Sequence, residues 1–480
     1  MLWGLAALLT IFGLFASLSP EPLIAGTGAS TVGLIAGLAL LRTISGPIHP
    51  FSAGALIGYS HVALFVLRPL YALVYQDGVN LFNGMPFDQS VVAAQQTAGL
   101  GIFSIYVGMA AAGPNLAFKP TTLPANRSVQ RHVALLPYLW LAVVVGVSLY
   151  SVYIARTGLS QFAEILTTGR TALASSSVDG TSAYFYAGLE MATGALIGVV
   201  LVASLAGLRL HVFFALAALI LCAVPSLAAG SRSVFVPTVI ALLLIGHLVK
   251  PRAFSARKFA TVAPAAFILL FIAPRLWRVD LAEGGSLTEA LAAALRPENF
   301  LGDFLGSFDT AMLDAFALQV SAQSSGVIGL RFGGTYDALF LAFIPRTLWG
   351  DKPLSVDQIL NSYLFPITHE KGIGFSFGIY SEPTLNFGLV GVVGVGFAFG
   401  YIAARVWRKS QHSGDVRSLY IAILVTSYLF PLMRGSISFD SQRLFIAALP
   451  AVFFLALGKE MGLDVKTSVK APSTRKLLDN

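Results

Sequence analysis

The chain holds a single cysteine, Cys222, among 480 residues. One cysteine cannot make a disulfide, a Cys-x-x-Cys redox pair or a cysteine-built metal site. In its apolar run Cys222 reads as a small core residue. Charge is also scarce: Asp, Glu, Lys and Arg make up 11% of the residues, where soluble domains carry roughly 25%. With 56% hydrophobic residues and a mean hydropathy of +0.77, a water-soluble globule is excluded. Several chemical signatures are missing. There is no Gly-x-x-x-x-Gly-Lys-[Ser/Thr] phosphate loop, no Asp-x-Asp for a metal-held nucleotide sugar and no His-Glu-x-x-His zinc helix. The opening MLWGLAALLTIFGLFASLSP lacks the basic start and small-residue cleavage site of a signal peptide, so it reads as a retained span.

What the chain does have is long apolar runs. A helix needs about 20 apolar residues to cross a bilayer. No alternating barrel pattern occurs, so helices are the spanning structure expected. Hydropathy predicts about twelve of them, at 2–19, 23–41, 51–75, 92–113, 133–155, 183–207, 210–228, 234–249, 259–274, 380–404, 418–433 and 442–458. The expected fold is an all-α polytopic membrane protein, one membrane domain over 1–480. A long, partly helical outer segment covers 275–379, and a basic tail covers 460–480. No internal repeat is visible.

Basic residues orient the spans, because Lys and Arg concentrate on the cytoplasmic side. Arg42, Lys119, Arg127, Arg131, Arg209, KPRAFSARK (250–258) and RVWRKSQHSGDVR (405–417) all follow even-numbered spans. The tail adds Lys466, Lys470, Arg475 and Lys476, while 76–91 has Asp77 and Asp88 and no cation. Both termini are therefore expected in the cytoplasm. Topology thus accounts for the net charge of +8 without a nucleic-acid partner.

Some cations fall on the other side. Arg68 lies inside a span, Arg232 opens one, Arg275 and Arg278 close one, and Arg434 and Arg443 flank the last connection. Arg331, Arg346, Lys352 and Lys371 lie in the long segment. An arginine in a span costs about +2.5 to +3.5 kcal/mol on translocon scales, and such residues usually face a cavity. Snorkelling is the plain alternative for those at span ends. For Arg68 the alternative is a structural pair with a carboxylate. Taken together, guanidiniums on several helices at one membrane face suit a phosphate or diphosphate head.

Two stretches sharpen this. IPRTLWGDKP (344–353) sets Arg346, Asp351 and Lys352 between two prolines, with Trp349 as an interface anchor. Its plain alternative is a salt-bridged surface turn. THEKGIGFSFGIYSEPTLNFGLVG (368–391) is glycine-rich and then opens a helix. Ser381 is expected as its cap and Pro383 in its first turn. Glu382 would stand at the mouth of a span, either complementing the helix dipole or taking a proton from a sugar hydroxyl. His369 and Glu370 read as a solvated pair. In the helix 286–300, Pro297 marks a stop, while 307–320 and 335–344 are semi-apolar and too short to span.

GSRS (230–233), IPRTLWGDKP and GIYSEPTLNFGLVG (378–391) resemble, in order and spacing, the Wzy-type O-antigen and oligosaccharide repeat-unit polymerases. The resemblance implies a GT-C-like multi-spanning glycosyltransferase of the bacterial inner membrane, without metal or other cofactor. Its substrate would be an undecaprenyl-diphosphate-linked oligosaccharide, extended at the periplasmic face among membrane lipids. A chain-length regulator and a flippase of the same pathway would be its partners. It implies catalytic roles for Glu382, Arg346 and Arg232. Arg68, Arg331, Lys352, Tyr380, Arg434 and Arg443 are the further candidates for binding the lipid diphosphate. The Arg-x10-Gly pattern of some members is missing here. An O-antigen ligase, with His369 as the histidine available in the outer segment, and a lipid-linked oligosaccharide flippase are the competing readings.

Overall fold

A computed structural model describes residues 13, 16–76, 78–113, 132–160, 162, 182–228, 234–250, 302, 304–308, 310–341, 344, 348–370, 374–413 and 415–460. Arg232, Arg275, Arg278, Arg346 and Lys371 lie outside these residues, as do most of the expected first span, the expected span at 259–274 and the expected helix at 286–300.

Every expected span that falls on described residues coincides with a helix. These are α1 (Pro22–Ser45), α2 (Ala53–Tyr75), α3 (Gln89–Ala111), α4 (Leu136–Thr157), α5 (Ser182–Ala206), α6 (Arg209–Ala228) and α7 (Phe235–Val249). After the long segment come α12 (Ser381–Ser413), α13 (Val416–Ser427), α14 (Leu429–Arg434) and α15 (Ile437–Glu460). Between them lie α8 (Met312–Ser324), α9 (Asp337–Leu341), α10 (Val356–Leu364) and α11 (Pro366–Glu370). The described residues hold 8 helices long and apolar enough to cross a membrane, and two shorter apolar ones. Among them there is no strand, only an isolated bridge between Val79 and Pro86.

Small residues let the helices touch backbone to backbone, the usual means of close helix packing in lipid. Gly99 of α3 faces Ala29 and Ser30 of α1, where an added Cβ would stand 2.8 Å from the Ala29 carbonyl oxygen. Gly108 of α3 lies against the Phe397 carbonyl of α12, and Gly400 of α12 against that of Ile105. A second set mirrors the first. Gly146 of α4 abuts Gly188 of α5, and Gly194 of α5 abuts the Ala447 carbonyl of α15.

α2 is not uniform. After His61 it widens into a π turn, Val62–Leu67, and then resumes at Arg68. Pro69 has no N–H to give to the preceding turn, and Gln95 Nε2 donates to the Phe65 carbonyl at 3.3 Å. His61 is fully buried, with Nε2 2.9 Å from Ser30 Oγ and Nδ1 2.9 Å from the Tyr380 hydroxyl.

Of the described parts between α7 and α12, α8 packs against α3 and the π turn of α2, and α9 against α15. Phe82, from the α2–α3 connection, meets Phe365 and Phe375 at ring-centroid distances of 4.8 Å each. α8 is too short to cross, at about 1.5 Å per residue, and buries Met312, Leu313 and Phe316. α12 is broken at Gly388, whose φ of 62° and ψ of −146° suit glycine. The break leaves the Leu385 and Asn386 carbonyls without helical donors. The backbone N–H groups of Arg331 and Phe332 donate to them, each at 3.0 Å.

Candidate functional site

The site is built around the first turn of α12. Glu382 has no solvent exposure. Its Oε1 accepts from Thr335 Oγ1 at 3.0 Å and from Ser438 Oγ at 2.6 Å. Its Oε2 accepts from the Ser438 backbone N–H at 2.9 Å. A buried carboxylate is tolerated when its oxygens are hydrogen-bonded in this way. Glu382 thus ties α12 to the start of α15 and to the 331–336 turn. Asn386 completes the knot: its Nδ2 donates to Thr335 Oγ1 at 2.6 Å and to the Glu382 carbonyl at 2.9 Å, and its Oδ1 accepts from Gly333 N at 2.9 Å. Beside it, burial and the Glu382 charge hold the Tyr336 phenol above its ordinary range. The Tyr336 hydroxyl is buried and has no hydrogen-bond partner among the described residues.

Ser381 does not cap α12 as the sequence suggests. It is the first helical residue, and its hydroxyl donates to Gln319 Oε1 of α8. Gln319 Nε2 in turn donates to the Ser381 carbonyl at 3.0 Å. The long-range partner on α8 wins over the local cap.

A second carboxylate comes from α10. Asp357 stands in its first turn, behind a capping box formed by Ser355 and Gln358. Its Oδ2 accepts from Ser436 Oγ at 2.6 Å. Burial, with the nearby Asp440 and Glu382 carboxylates adding to it, pushes Asp357 up to about 7 against the Ser436 hydrogen bond and the charge of Arg434. The backbone here is pinned. Asn361 Nδ2 donates to the carbonyls of Asp357 at 2.7 Å and Phe375 at 2.9 Å, and its Oδ1 accepts from Phe375 N at 2.8 Å.

A third layer joins α5 to α15. Arg443 Nε donates to Glu190 Oε1 at 2.9 Å, its Nη2 contacts the same oxygen, and its Nη1 lies 3.5 Å from Asp440 Oδ1. Tyr428 donates to Glu190 Oε2 at 2.8 Å. Arg434, half-buried at the end of α14, stands near Asp357 and Asp440.

Of the residues singled out from the sequence, the structure brings Glu382, Arg434 and Arg443 together. Arg232 and Arg346 lie outside the described residues. Arg68 is elsewhere: fully buried, it donates from Nε and Nη2 to Asp314 at 3.0 and 2.6 Å, and from Nη1 to Gln76 at 2.8 Å. That is the structural alternative considered above, a carboxylate pair. Tyr380 turns into the bundle toward His61 and Phe65 and is 2% exposed. Arg331 is exposed, its guanidinium 5.9 Å from the Tyr363 ring centre. Lys352 donates from Nζ to the Ile344 carbonyl at 3.1 Å. His369 and Glu370 end the short surface helix α11.

Sequence reasoning missed Asp357, Thr335, Asn386, Ser436, Ser438 and Glu190. The local signal for Asp357 was present in Ser355-x-x-Gln358, a capping-box spacing that fixes its turn. It also missed Gly374-Phe375-Ser376-Phe377-Gly378, which has Gly-x-Ser-x-Gly spacing. Residues 374–378 are described and hold no strand, unlike the strand-to-helix elbow that exposes a nucleophilic serine. Among the described residues no group of three or more His, Cys, Asp or Glu could hold a metal ion.

Compared with known proteins, the chain matches no family model, no curated protein and no solved structure.

Proposed function

We propose that this chain is a membrane glycosyltransferase that polymerises oligosaccharide repeat units carried on a polyprenyl diphosphate. The observation that carries the reading is the gathering of Glu382, Asp357, Asp440, Arg434 and Arg443 at one end of an apolar helix bundle. Such a cluster offers a cation for a diphosphate and carboxylates for proton transfer at lipid headgroup depth. On this reading that end faces the periplasm and both termini face the cytoplasm. About twelve spans would lie in the bacterial inner membrane, as the charge bias of the connections favours. Arg434 would neutralise the leaving diphosphate, a role the resemblance also gives to Arg232 and Arg346, because fixed cations aimed at developing charge lower the barrier. Glu382 holds the elements of the site in register. The resemblance to Wzy-type polymerases supplies the substrate class.

The test is reconstitution in liposomes with lipid-linked repeat units extracted from host cells that lack this chain. A ladder of lengthening glycans, formed in EDTA and lost with Arg434→Ala, is the expected result. If no ladder forms and labelled carrier crosses the bilayer, the chain is a flippase and the polymerase reading falls.

A further inference from the structure

Glu382 is the obvious carboxylate in the motif, yet its geometry makes it a poor proton acceptor. It has no solvent exposure, and both oxygens already accept hydrogen bonds from Thr335 and Ser438. A general base must come within hydrogen-bond reach of the proton it removes, about 2.6–3.2 Å between heavy atoms. With no exposed surface, Glu382 comes within that reach of a sugar hydroxyl only if the side chains around it move.

Asp357 differs in each respect. It is only partly buried. Ser436 holds Oδ2 at 2.6 Å, and Oδ1 has no hydrogen-bond partner among the described residues. Ser436 sets the direction of the carboxylate, and Asn361 fixes the α10 backbone beneath it. The groups that face it are Glu382 from α12, Asp440 from α15 and Arg434 from α14. The cation candidate for the diphosphate and the open carboxylate oxygen therefore share one site.

The geometry points to Asp357 as the general base that takes the proton from the acceptor sugar hydroxyl, a role that rests on the polymerase reading above. In the step, the acceptor oxygen forms a bond to the anomeric carbon of the donor glycan. The bond from that carbon to the diphosphate oxygen breaks, and its electron pair leaves with the lipid diphosphate. The hydroxyl proton passes to Asp357 Oδ1 and then to water. An affinity for protons near neutrality suits a group that must take a proton up and then release it. Glu382, Ser436 and Asn361 are positioning residues.

The experiment compares wild type, Asp357→Asn, Asp357→Glu and Ser436→Ala in the same liposomes with the same extracted lipid-linked repeat units, across pH 5 to 9. Thermal melts confirm that each variant is folded. General-base loss typically lowers a rate by about 10²–10⁴-fold, and that fall in kcat is expected for Asp357→Asn, with KM little changed. The acid limb of the wild-type pH–rate profile should bend near 7 and disappear in Asp357→Asn. Asp357→Glu should retain the limb and part of the rate, and Ser436→Ala should displace it. A carboxyl infrared band of the wild-type protein, missing from Asp357→Asn and titrating with the same midpoint, is a check that needs no substrate. If wild type forms a ladder and folded Asp357→Asn forms it at the same rate with the same limb, Asp357 is not the base, while the polymerase reading stands. If wild type forms no ladder, that reading fails and takes this assignment with it.

Discussion

Arg68 and Asp314 form a bidentate ion pair at 3.0 and 2.6 Å, with neither side chain exposed. The Leu81 N–H adds a third hydrogen bond to Asp314 at 2.8 Å. The pair joins α2, α8 and the α2–α3 connection. Removing one member of a buried pair leaves a charge without compensation and destabilises by about 3–5 kcal/mol. Arg68→Met and Asp314→Leu should each lower the melting temperature markedly in detergent. The double variant should melt above either single one. If the singles melt like wild type, the pair has no structural role.

Glu382→Gln tests the knot in the first turn of α12. Glutamine puts an NH2 group in place of one carboxylate oxygen, so either the Ser438 N–H faces another donor or the Thr335 and Ser438 hydroxyls lose their acceptor. An unsatisfied buried group costs about 1–3 kcal/mol. The variant should lose thermal stability, and Ser438→Ala should follow in the same direction with a smaller drop. Unchanged melts for both would show that these hydrogen bonds carry no stability.

The Asp357 carboxyl gives stability a pH signature. Its folded affinity is raised to about 7 from the ordinary 3.8, so the folded state favours the protonated form. The stabilising contribution is complete below about pH 4 and is lost as pH rises to and through 7, because in that window the folded protein holds a proton that the unfolded chain has already released. Asp357→Asn removes that loss while keeping an acceptor for Ser436. The variant should melt above wild type at pH 8, and the gap should close toward pH 4. A gap independent of pH would contradict the raised affinity.

Gly388 breaks α12 at φ 62° and ψ −146°. Side chains other than glycine are strained there by on the order of 1–3 kcal/mol. Gly388→Ala should lower the melting temperature. It should also loosen the 331–336 turn, whose N–H groups depend on the carbonyls freed by the break. Hydrogen exchange at Arg331 and Phe332 is the direct readout: faster exchange is expected, and wild-type protection would refute the coupling.

Hydropathy located the long apolar helices because one compositional rule marks every one of them. α1 through α7 follow the apolar runs to within a few residues, whereas α12 runs on to Ser413, past the expected end at 404, and the run at 418–433 divides into α13 and α14. The motif around Glu382 was also legible, since Ser381-Glu382-Pro383 announces a helix start. Its partners were not. Asp357 meets Ser436 across 79 positions, and Arg68 meets Asp314 across 246. No local pattern encodes such pairings. Arg443 looked like a span-end cation, and only the fold shows that Glu190, far away on α5, holds it. The same blindness hid the real role of Ser381, where a glutamine on α8 outcompetes the helix's own N–H groups.

The glycine contacts sort the bundle into two stiff slabs: α1, α3 and α12 in one, α4, α5 and α15 in the other. At Gly99, Gly108 and Gly400 in one slab, and at Gly146, Gly188 and Gly194 in the other, backbone rests on backbone. Among the described residues no such glycine contact crosses the seam between the slabs. Glu382, on α12, and Ser438, on α15, clasp that seam at the end where the candidate site lies. Prising the slabs apart means undoing those bonds first, so the clasp sets the rest position from which any opening of the bundle begins.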